Sequence, residues 1–455
     1  MLYMVNFCPS SPYLKREDAA MSFPDAHGRV FMNPLGPAKS EETYGALLDE
    51  GIKQGMTMFE IDFMEKNFAS TPYFRTVAAA ADGWLAGMSK AAEKRRLPTQ
   101  LCSDSARDVI ASVALPAITQ FRGSVDFACD CVAEPLSGNW AIGQQSLLVS
   151  SFGLGSSKDT FFTNPVQKGH NHPEHHICQS YNNGHVELDL FAATMSGGPV
   201  GFGDGIGDTN RTLLMQCCAS DGTILRADTA SSPIDATWSQ ASDHKPPVSK
   251  GTLPGTFPPV AGGPLKAAAA IWSASTLRNG SYFHFVTAID VPTSFKLLDA
   301  DLWPVPAKGT QLLHRRWHAA PCVDGAMASS CGVAAGLPDV KTGIPAGRCQ
   351  NKTQNNSTCT AIGAHSFELF SISPVTKGGV ALLGELSKVC AVSAERFAAV
   401  VVTSSGGLKV TVRGSTGEKV QLTFVVGAKG GAGGRLKVKT LSFGPSGQAV
   451  VAVDA

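Results

Sequence analysis

The sequence predicts an α/β region followed by an all-β one. The first is a (β/α)8 TIM-type barrel, lacking its first strands, over residues 1–241; the second is a C-terminal β-sandwich over 265–455. Three observations predict this. Before residue 230, short apolar runs alternate with segments of helical spacing, in about five or six strand–helix units. Such alternation implies a parallel sheet with crossover helices. A complete eight-fold barrel takes ~250 residues, so this one is read as N-terminally incomplete. Residues 242–264 are dense in Pro and Gly and read as a linker. Beyond them the pattern becomes that of strands.

The elements follow in order. Ser40 precedes Tyr44, Leu47, Leu48 and Ile52, which share one helical face, and reads as the helix N-cap. Met56 to Met64, MTMFEIDFM, reads as a buried strand. Residues 75–96 place Val77, Ala81, Trp84, Leu85 and Met88 at helical spacing. They end in Lys94, Arg95 and Arg96, charges that suit a helix C-terminus. Pro98 breaks the helix, and Thr99–Cys102 forms a short strand. Residues 107–115 read as a helix, and Ala117–Phe121 as the next strand. Helices are expected at 143–154, 184–196 and 210–219, with a strand from Gly197-Gly198-Pro199 into Asp204. In the all-β region, strands are expected at 268–275, 282–289, 295–303, 365–373, 379–385, 397–403, 408–413, 419–426 and 436–442. An insertion rich in Cys and sequons interrupts them at about 320–362. AKGGAGG at 428–434 is a flexible turn, since no Lys-Ser/Thr and no helix follow it.

Composition excludes several classes of function. The 455 residues carry 38 Lys+Arg and 37 Asp+Glu, which gives no electrostatic case for nucleic acid or an anionic membrane. Charged residues at 16% and apolar ones at 43% mark a globular chain. No apolar run reaches the roughly 18 residues of a membrane span. The start, MLYMVNFCPSS, does not have the pattern of a signal peptide. Of the 12 cysteines, Cys322, Cys331, Cys349 and Cys359 are spaced too loosely for a zinc site and read as disulfides. Sequons at Asn351, Asn355 and Asn356 share that stretch, with others at Asn210 and Asn279. Together they favour a secreted or endomembrane-lumen protein; the alternative is a cytoplasmic protein with free thiols.

Several residues are of types that carry chemistry. Asp62 lies near the end of an apolar strand, where a carboxylate is costly unless it faces the strand's C-terminal mouth. Glu60, two residues earlier, points to the same side. Asp126, in FRGSVDF, also follows a strand, with Arg122 four residues before it. Two carboxylates from different strands are what a retaining glycosidase needs, one as nucleophile and one as acid/base, with carboxyl groups about 5–5.5 Å apart. The alternative is that each Asp caps the helix after its strand. His170, His172, His175 and His176 have irregular spacing and no HExxH pattern, so they read as a polar loop rather than a metal site. Cys129 and Cys131 read as packing residues, and Ser146 and Ser150 lack the G-x-S-x-G elbow. Trp140, in a loop, suits either stacking on a sugar face or core burial. No metal or cofactor is expected.

Longer stretches resemble a known family. ATMSGGPVGFGDGIGDTNRTLLMQCCASDGTILRAD (192–228) resembles the last barrel unit of raffinose synthases and alkaline α-galactosidases. Arg122 to Phe127 (RGSVDF) resembles the acid/base motif of the wider α-galactosidase clan, and Phe59–Phe63 its nucleophile strand. Cys102 matches a cysteine often found between them. The resemblance spans roughly residues 50–240. It implies retaining chemistry, without metal or cofactor, on an α-linked oligosaccharide or glycoside, by hydrolysis or transglycosylation. It further implies Asp62 as nucleophile and Asp126 as acid/base. Glu60, Arg122, Trp140 and Asp204 are then the candidate sugar-binding residues. Where the clan commonly has Lys two residues before the nucleophile, this chain has Glu60. A carboxylate accepts hydrogen bonds where ammonium donates them. That difference, with the missing first strands, motivates one alternative, a catalytically inactive carbohydrate-binding or structural relative; another is a β-sandwich that binds carbohydrate on a barrel scaffold.

Overall fold

Short parallel strands with a helix between most neighbours form the first part of the chain. The computed structural model describes residues 2–4, 7–25, 28–102, 106–124, 142–165, 186–237, 270–289, 291, 294–342, 366–428 and 433–455. The strands of this part are β1 (Leu2–Met4), β2 (Ala19–Met21), β3 (Met32–Pro34), β4 (Phe59–Ile61), β5 (Thr99–Leu101), β6 (Ile118–Arg122) and β7 (Gly155–Ser157). Five of them make one sheet in the order β1-β4-β5-β6-β7, every pair parallel. β2 and β3 form a separate antiparallel pair. Parallel neighbours need a crossover between them. Helix α1 (Gly36–Lys53) precedes β4; α2 (Met64–Ser70), α3 (Pro72–Thr76) and α4 (Ala80–Lys94) precede β5. Helix α5 (Ala106–Ser112) precedes β6, and α6 (Ile142–Ser151) precedes β7. β1 extends the sheet before β4, where no strand was expected.

Helices α1 and α4 pack closely because small residues let them. Tyr44 and Leu48 of α1, and Trp84, Leu85 and Met88 of α4, are all buried. Trp84 Nε1 donates to the Tyr44 hydroxyl at 3.1 Å. Ser40 is not the N-cap that its position suggested. The helix starts four residues earlier, with Pro37 in its first turn, and the Ser40 hydroxyl donates to the Trp84 carbonyl at 2.6 Å. Pro suits that first turn because the missing N–H had no helical acceptor. Gly87 faces this contact. A Cβ there would collide with the Pro37 carbonyl oxygen and lie 2.6 Å from the Ser40 Cβ.

The remaining strands belong to a second compact unit. The first unit comprises the described residues of Met1–Gly123 and Leu148–Ser157; the second comprises those of Ser124–Leu147, Lys158–Pro247 and Gly262–Ala455. Helices α7 (Val186–Met195) and α8 (Arg211–Leu214) thus group with the β strands, on the far side of the expected boundary at residue 241. The expected helix at 210–219 is only α8, because Cys218 already pairs with Ile224 in a tight hairpin. The expected strand into Asp204 is a single parallel bridge, Phe161 to Phe202.

The strands of this unit are β8 (Ser232–Pro233), β9 (Ala270–Arg278), β10 (Ser281–Ile289), β11 (Phe295–Lys296), β12 (Leu312–Arg316), β13 (Val333–Ala335), β14 (Asp339–Val340), β15 (Phe367–Pro374), β16 (Val380–Gly384), β17 (Phe397–Val402), β18 (Leu408–Arg413), β19 (Lys419–Val426), β20 (Arg435–Ser442) and β21 (Gln448–Val453). They form a six-stranded sheet β13-β12-β15-β10-β9-β8, two three-stranded sheets β16-β19-β20 and β17-β18-β21, and the pair β11-β14. Phe285, Leu369, Leu382, Val410 and Phe424 meet Phe191 of α7 in one core. Arg396, 1% exposed, donates to Glu385 at 2.9 Å and to both Glu418 oxygens at 2.6 and 3.0 Å. A buried guanidinium needs such partners. Cys322 and Cys331 are disulfide-bonded, whereas Cys349 and Cys359 lie outside the described residues. Among the described residues, no helix is long and apolar enough to cross a membrane.

His284 of β10 is 1% exposed, and neither ring nitrogen has a hydrogen-bond partner among the described residues. Burial lowers its pKa to about 4. The folded value lies below the unfolded one of about 6.5, so the unfolded chain takes up the proton more readily. This contribution to stability is present above about pH 6.5 and is lost as pH falls toward 4. The urea midpoint of the wild type should therefore fall as pH drops through that window, and His284→Phe should flatten the dependence. An equal pH slope in the two proteins would contradict the assignment.

Candidate active site

The parallel sheet has two chemically different faces. Phe59, Ile61, Leu101, Ile118 and Phe121 belong to the core that includes Leu48 and Trp84 of the helices. The alternate residues are polar. The register aligns Glu60 with Gln100, Gln100 with Gln120, and Gln120 with Gly155. Two residues farther along each strand stand Asp62, Cys102, Arg122 and Ser157. Successive side chains alternate between faces, so these two rows share one face. The second row sits at the C-terminal ends of four consecutive strands. The Cys102 N–H donates to the Ile61 carbonyl at 2.9 Å, and the Gly123 N–H to that of Ser157 at 2.9 Å, which carries the register to the edge of the row.

The row is buried and charged. Glu60 and Asp62 are each 4% exposed, Gln100 is 5% and Cys102 is 0%. Unpartnered carboxylates would be costly there. The Cys102 thiol donates to the Asp62 carboxylate. Burial pushes that thiol's pKa far up. Arg122 pulls it back, while the charge of Asp62, its hydrogen bond and the charge of Glu60 push it higher. The thiol therefore stays protonated and remains a donor. Both carboxylates and the guanidinium act on this one sulfur, which places them together.

The chain leaves β4 by a strained turn. Phe63 has φ 55° and ψ 34°, the left-handed region, and its N–H donates to Asp62 Oδ1 at 2.6 Å. A non-glycine residue there costs on the order of 1 kcal/mol. Lys66 Nζ lies 4.3 Å from the Phe63 ring centroid, which helps hold the ring. On the neighbouring strands, the Ser157 hydroxyl donates to Gln100 Oε1 at 2.9 Å. Gln120 Oε1 is buried with no partner among the described residues. A buried unpaired acceptor on a polar face is the kind of group that meets a ligand or a water.

The candidate residues fare differently. Glu60, Asp62 and Arg122 are brought together around Cys102. Asp204 belongs to the second unit, where it accepts from the Thr163 N–H at 2.8 Å and the Thr163 hydroxyl at 2.6 Å. The Thr163 hydroxyl in turn accepts from the Asn210 N–H at 2.7 Å, so Asp204 ties two loops together. Asp126, Trp140, Cys129, Cys131 and the His170–His176 cluster lie outside the described residues. Gln100, Gln120 and Ser157, not among the expected site residues, complete the polar face. The signal was partial: Gln100-Leu101-Cys102 and Gln120-Phe121-Arg122 keep the phase of Glu60-Ile61-Asp62, but Thr99 and Thr119 break the alternation ahead of them, at the register shift between β5 and β6. No group of three or more potential metal ligands occurs among the described residues. No protein-family model matches the chain, and no curated protein matches it.

The burial of this row predicts a reactivity order. Cys8 is exposed, and a 3.2 Å hydrogen bond with Ser10 lowers its pKa. Iodoacetamide at pH 8 should label Cys8 first and leave Cys102 untouched until the protein is denatured. Peptide mass mapping over time checks this; native labelling of Cys102 at the Cys8 rate would contradict it.

Proposed function

We propose that the chain is a retaining α-glycosidase of α-galactosidase or raffinose-synthase type. It acts on an α-linked oligosaccharide or glycoside through a covalent glycosyl-enzyme intermediate. The parallel sheet is read as part of a (β/α)8 barrel, and the second unit's sheets as its β-sandwich. The observation that carries the reading is the position of Asp62: a buried carboxylate at the C-terminal end of a parallel strand, on a polar face shared with Arg122. That end of such strands is where barrel enzymes hold their catalytic groups.

The chemistry follows from the two carboxylates. Asp62 attacks the anomeric carbon and forms the glycosyl ester. Asp126 protonates the leaving oxygen, then takes a proton from the water or sugar hydroxyl that releases the product. The Phe63 N–H and the Cys102 thiol both donate to Asp62, which steadies the anion and fixes its direction. Glu60 opposes it with like charge, and Arg122 offsets that. Glu60, Arg122 and Trp140 are assigned to sugar hydroxyls and faces; Asp204, expected among them, is instead held by Thr163 in the second unit. The Cys322–Cys331 disulfide supports a secretory location.

A second reading, an inactive carbohydrate-binding relative, is favoured by Glu60, which crowds Asp62 on a buried face. A panel of α-glycosyl fluorides with a cyclophellitol-type label separates the two readings. Mass spectrometry should find one adduct on Asp62. Asp62→Asn should abolish it and lower turnover on the order of 10⁴-fold or more, as loss of a nucleophile does elsewhere. A folded protein that binds sugar but forms no adduct with any label would establish the second reading instead.

A further inference from the structure

The β9–β10 hairpin carries a sequon at its tip. Arg278 and Ser281 pair, so Asn279 and Gly280 alone form the turn. Both have positive φ, 48° and 84°, as a type I′ turn requires, and Asn-Gly is the dipeptide that such a turn favours. The turn accounts for Asn279 and Gly280. It does not require Ser281, which completes Asn-Gly-Ser. Asn279 is exposed, and its side chain is held: Oδ1 accepts from the Val400 N–H at 2.9 Å. That is its only side-chain hydrogen bond among the described residues.

The strand that Asn279 touches is an edge. β17 pairs with β18 and with no other strand among the described residues. Next to Val400, Val401 and Val402 are 43% and 48% exposed, and Leu277, just before the hairpin tip, is 40% exposed. An exposed edge rich in β-branched residues is a template for pairing with another chain. Asn279 Oδ1 occupies one N–H of that edge and leaves the two valines exposed. The other described sequon differs. Asn210 is half-buried; its Oδ1 caps α8 by accepting from the Leu213 N–H at 3.1 Å, and its N–H donates to the Thr163 hydroxyl at 2.7 Å.

We infer that Asn279 is an N-glycosylation site whose oligosaccharide shields the edge strand β17, an inference that rests on the secretory location proposed above. The donor is an oligosaccharide carried on a lipid diphosphate. Asn279 Nδ2 bonds to the anomeric carbon, the bond from that carbon to the phosphate oxygen breaks, and the lipid diphosphate leaves with the electron pair. Nδ2 gives up one proton and keeps the other. Oδ1 is untouched, so the hydrogen bond from Val400 survives and anchors the amide that bears the first sugar. A glycan is bulky and solubilising, and it denies the edge to a second chain.

The test uses the full chain, sent into the endoplasmic reticulum of cultured cells by an added leader, with kifunensine to keep its glycans uniform. The secreted protein is trimmed with endoglycosidase H, which leaves N-acetylglucosamine on each occupied Asn, and its peptides are weighed. The retained sugar separates occupancy from deamidation of Asn-Gly, and peptide mapping separates Asn279 from the other sequons. The expected Asn279 peptide carries the sugar. Ser281→Ala, which keeps both turn residues, should lose it, and Ser281→Thr should keep it. Light scattering should show Ser281→Ala self-associating at lower concentration than the wild type. Secreted protein with the Cys322–Cys331 disulfide formed and Asn279 bare would overturn the proposal and leave the secretory reading standing. A folded chain whose Cys322 and Cys331 remain free thiols would contradict the secretory reading, and the proposal falls with it. Equal self-association of wild type and Ser281→Ala would overturn the shielding role.

Discussion

Burying two carboxylates on one strand end is the constraint on which the parallel sheet depends. Glu60 and Asp62 project from the same face of β4, each 4% exposed. No such face can also be an apolar core face. The neighbouring strands answer at the same register with Gln100, Cys102, Gln120, Arg122 and Ser157. The opposite face is then free to be apolar, and α1 and α4 cover it through Tyr44, Leu48, Trp84 and Leu85. A one-residue slip of any strand would exchange the two faces and bury charge among those aromatic rings. The charged row thus fixes the register as firmly as the apolar side does.

The second unit meets the same difficulty by other means. Among its described residues, buried Arg396 is held by Glu385 and Glu418, and buried Lys158 lies 3.1 Å from Asp189. Asp204 joins Thr163 to the loop before α8 through a chain of short hydrogen bonds. These groups are structural bonds between loops and strands. The polar face of β4–β6 differs, because the buried Gln120 Oε1 has no hydrogen-bond partner among the described residues.

Much of the fold was legible because burial sets the period of side chains. The alternation in MTMFEIDFM and the spacing of Trp84, Leu85 and Met88 mark the centres of a strand and a helix, but the strand shortens to Phe59–Ile61 and the helix starts only at Ala80, leaving Val77 outside it. Ser40 misled because a serine one turn inside a helix looks like a cap; its acceptor lies 44 residues away, at Trp84. β12 and β13 were missed because LLHRR is short and half polar and VAA has only three residues, and their pairing is set by β15 and by each other rather than by local pattern. The helix expected after Asn210 stops early because the Cys218–Ile224 hairpin takes its last turns. For the site, Asp62 and Arg122 stood out by charge. Gln100 and Gln120 did not, since an amide in a strand gains meaning only when the register sets it beside a carboxylate.

The stereochemistry of the first product tests the central claim most directly. Proton NMR can follow an α-glycosyl fluoride in the first minutes of turnover, before the free sugar mutarotates. A covalent ester on Asp62, formed and broken with two inversions, predicts the α-anomer first. The β-anomer appearing first would mean a single displacement by water, and Asp62 would then not be the nucleophile.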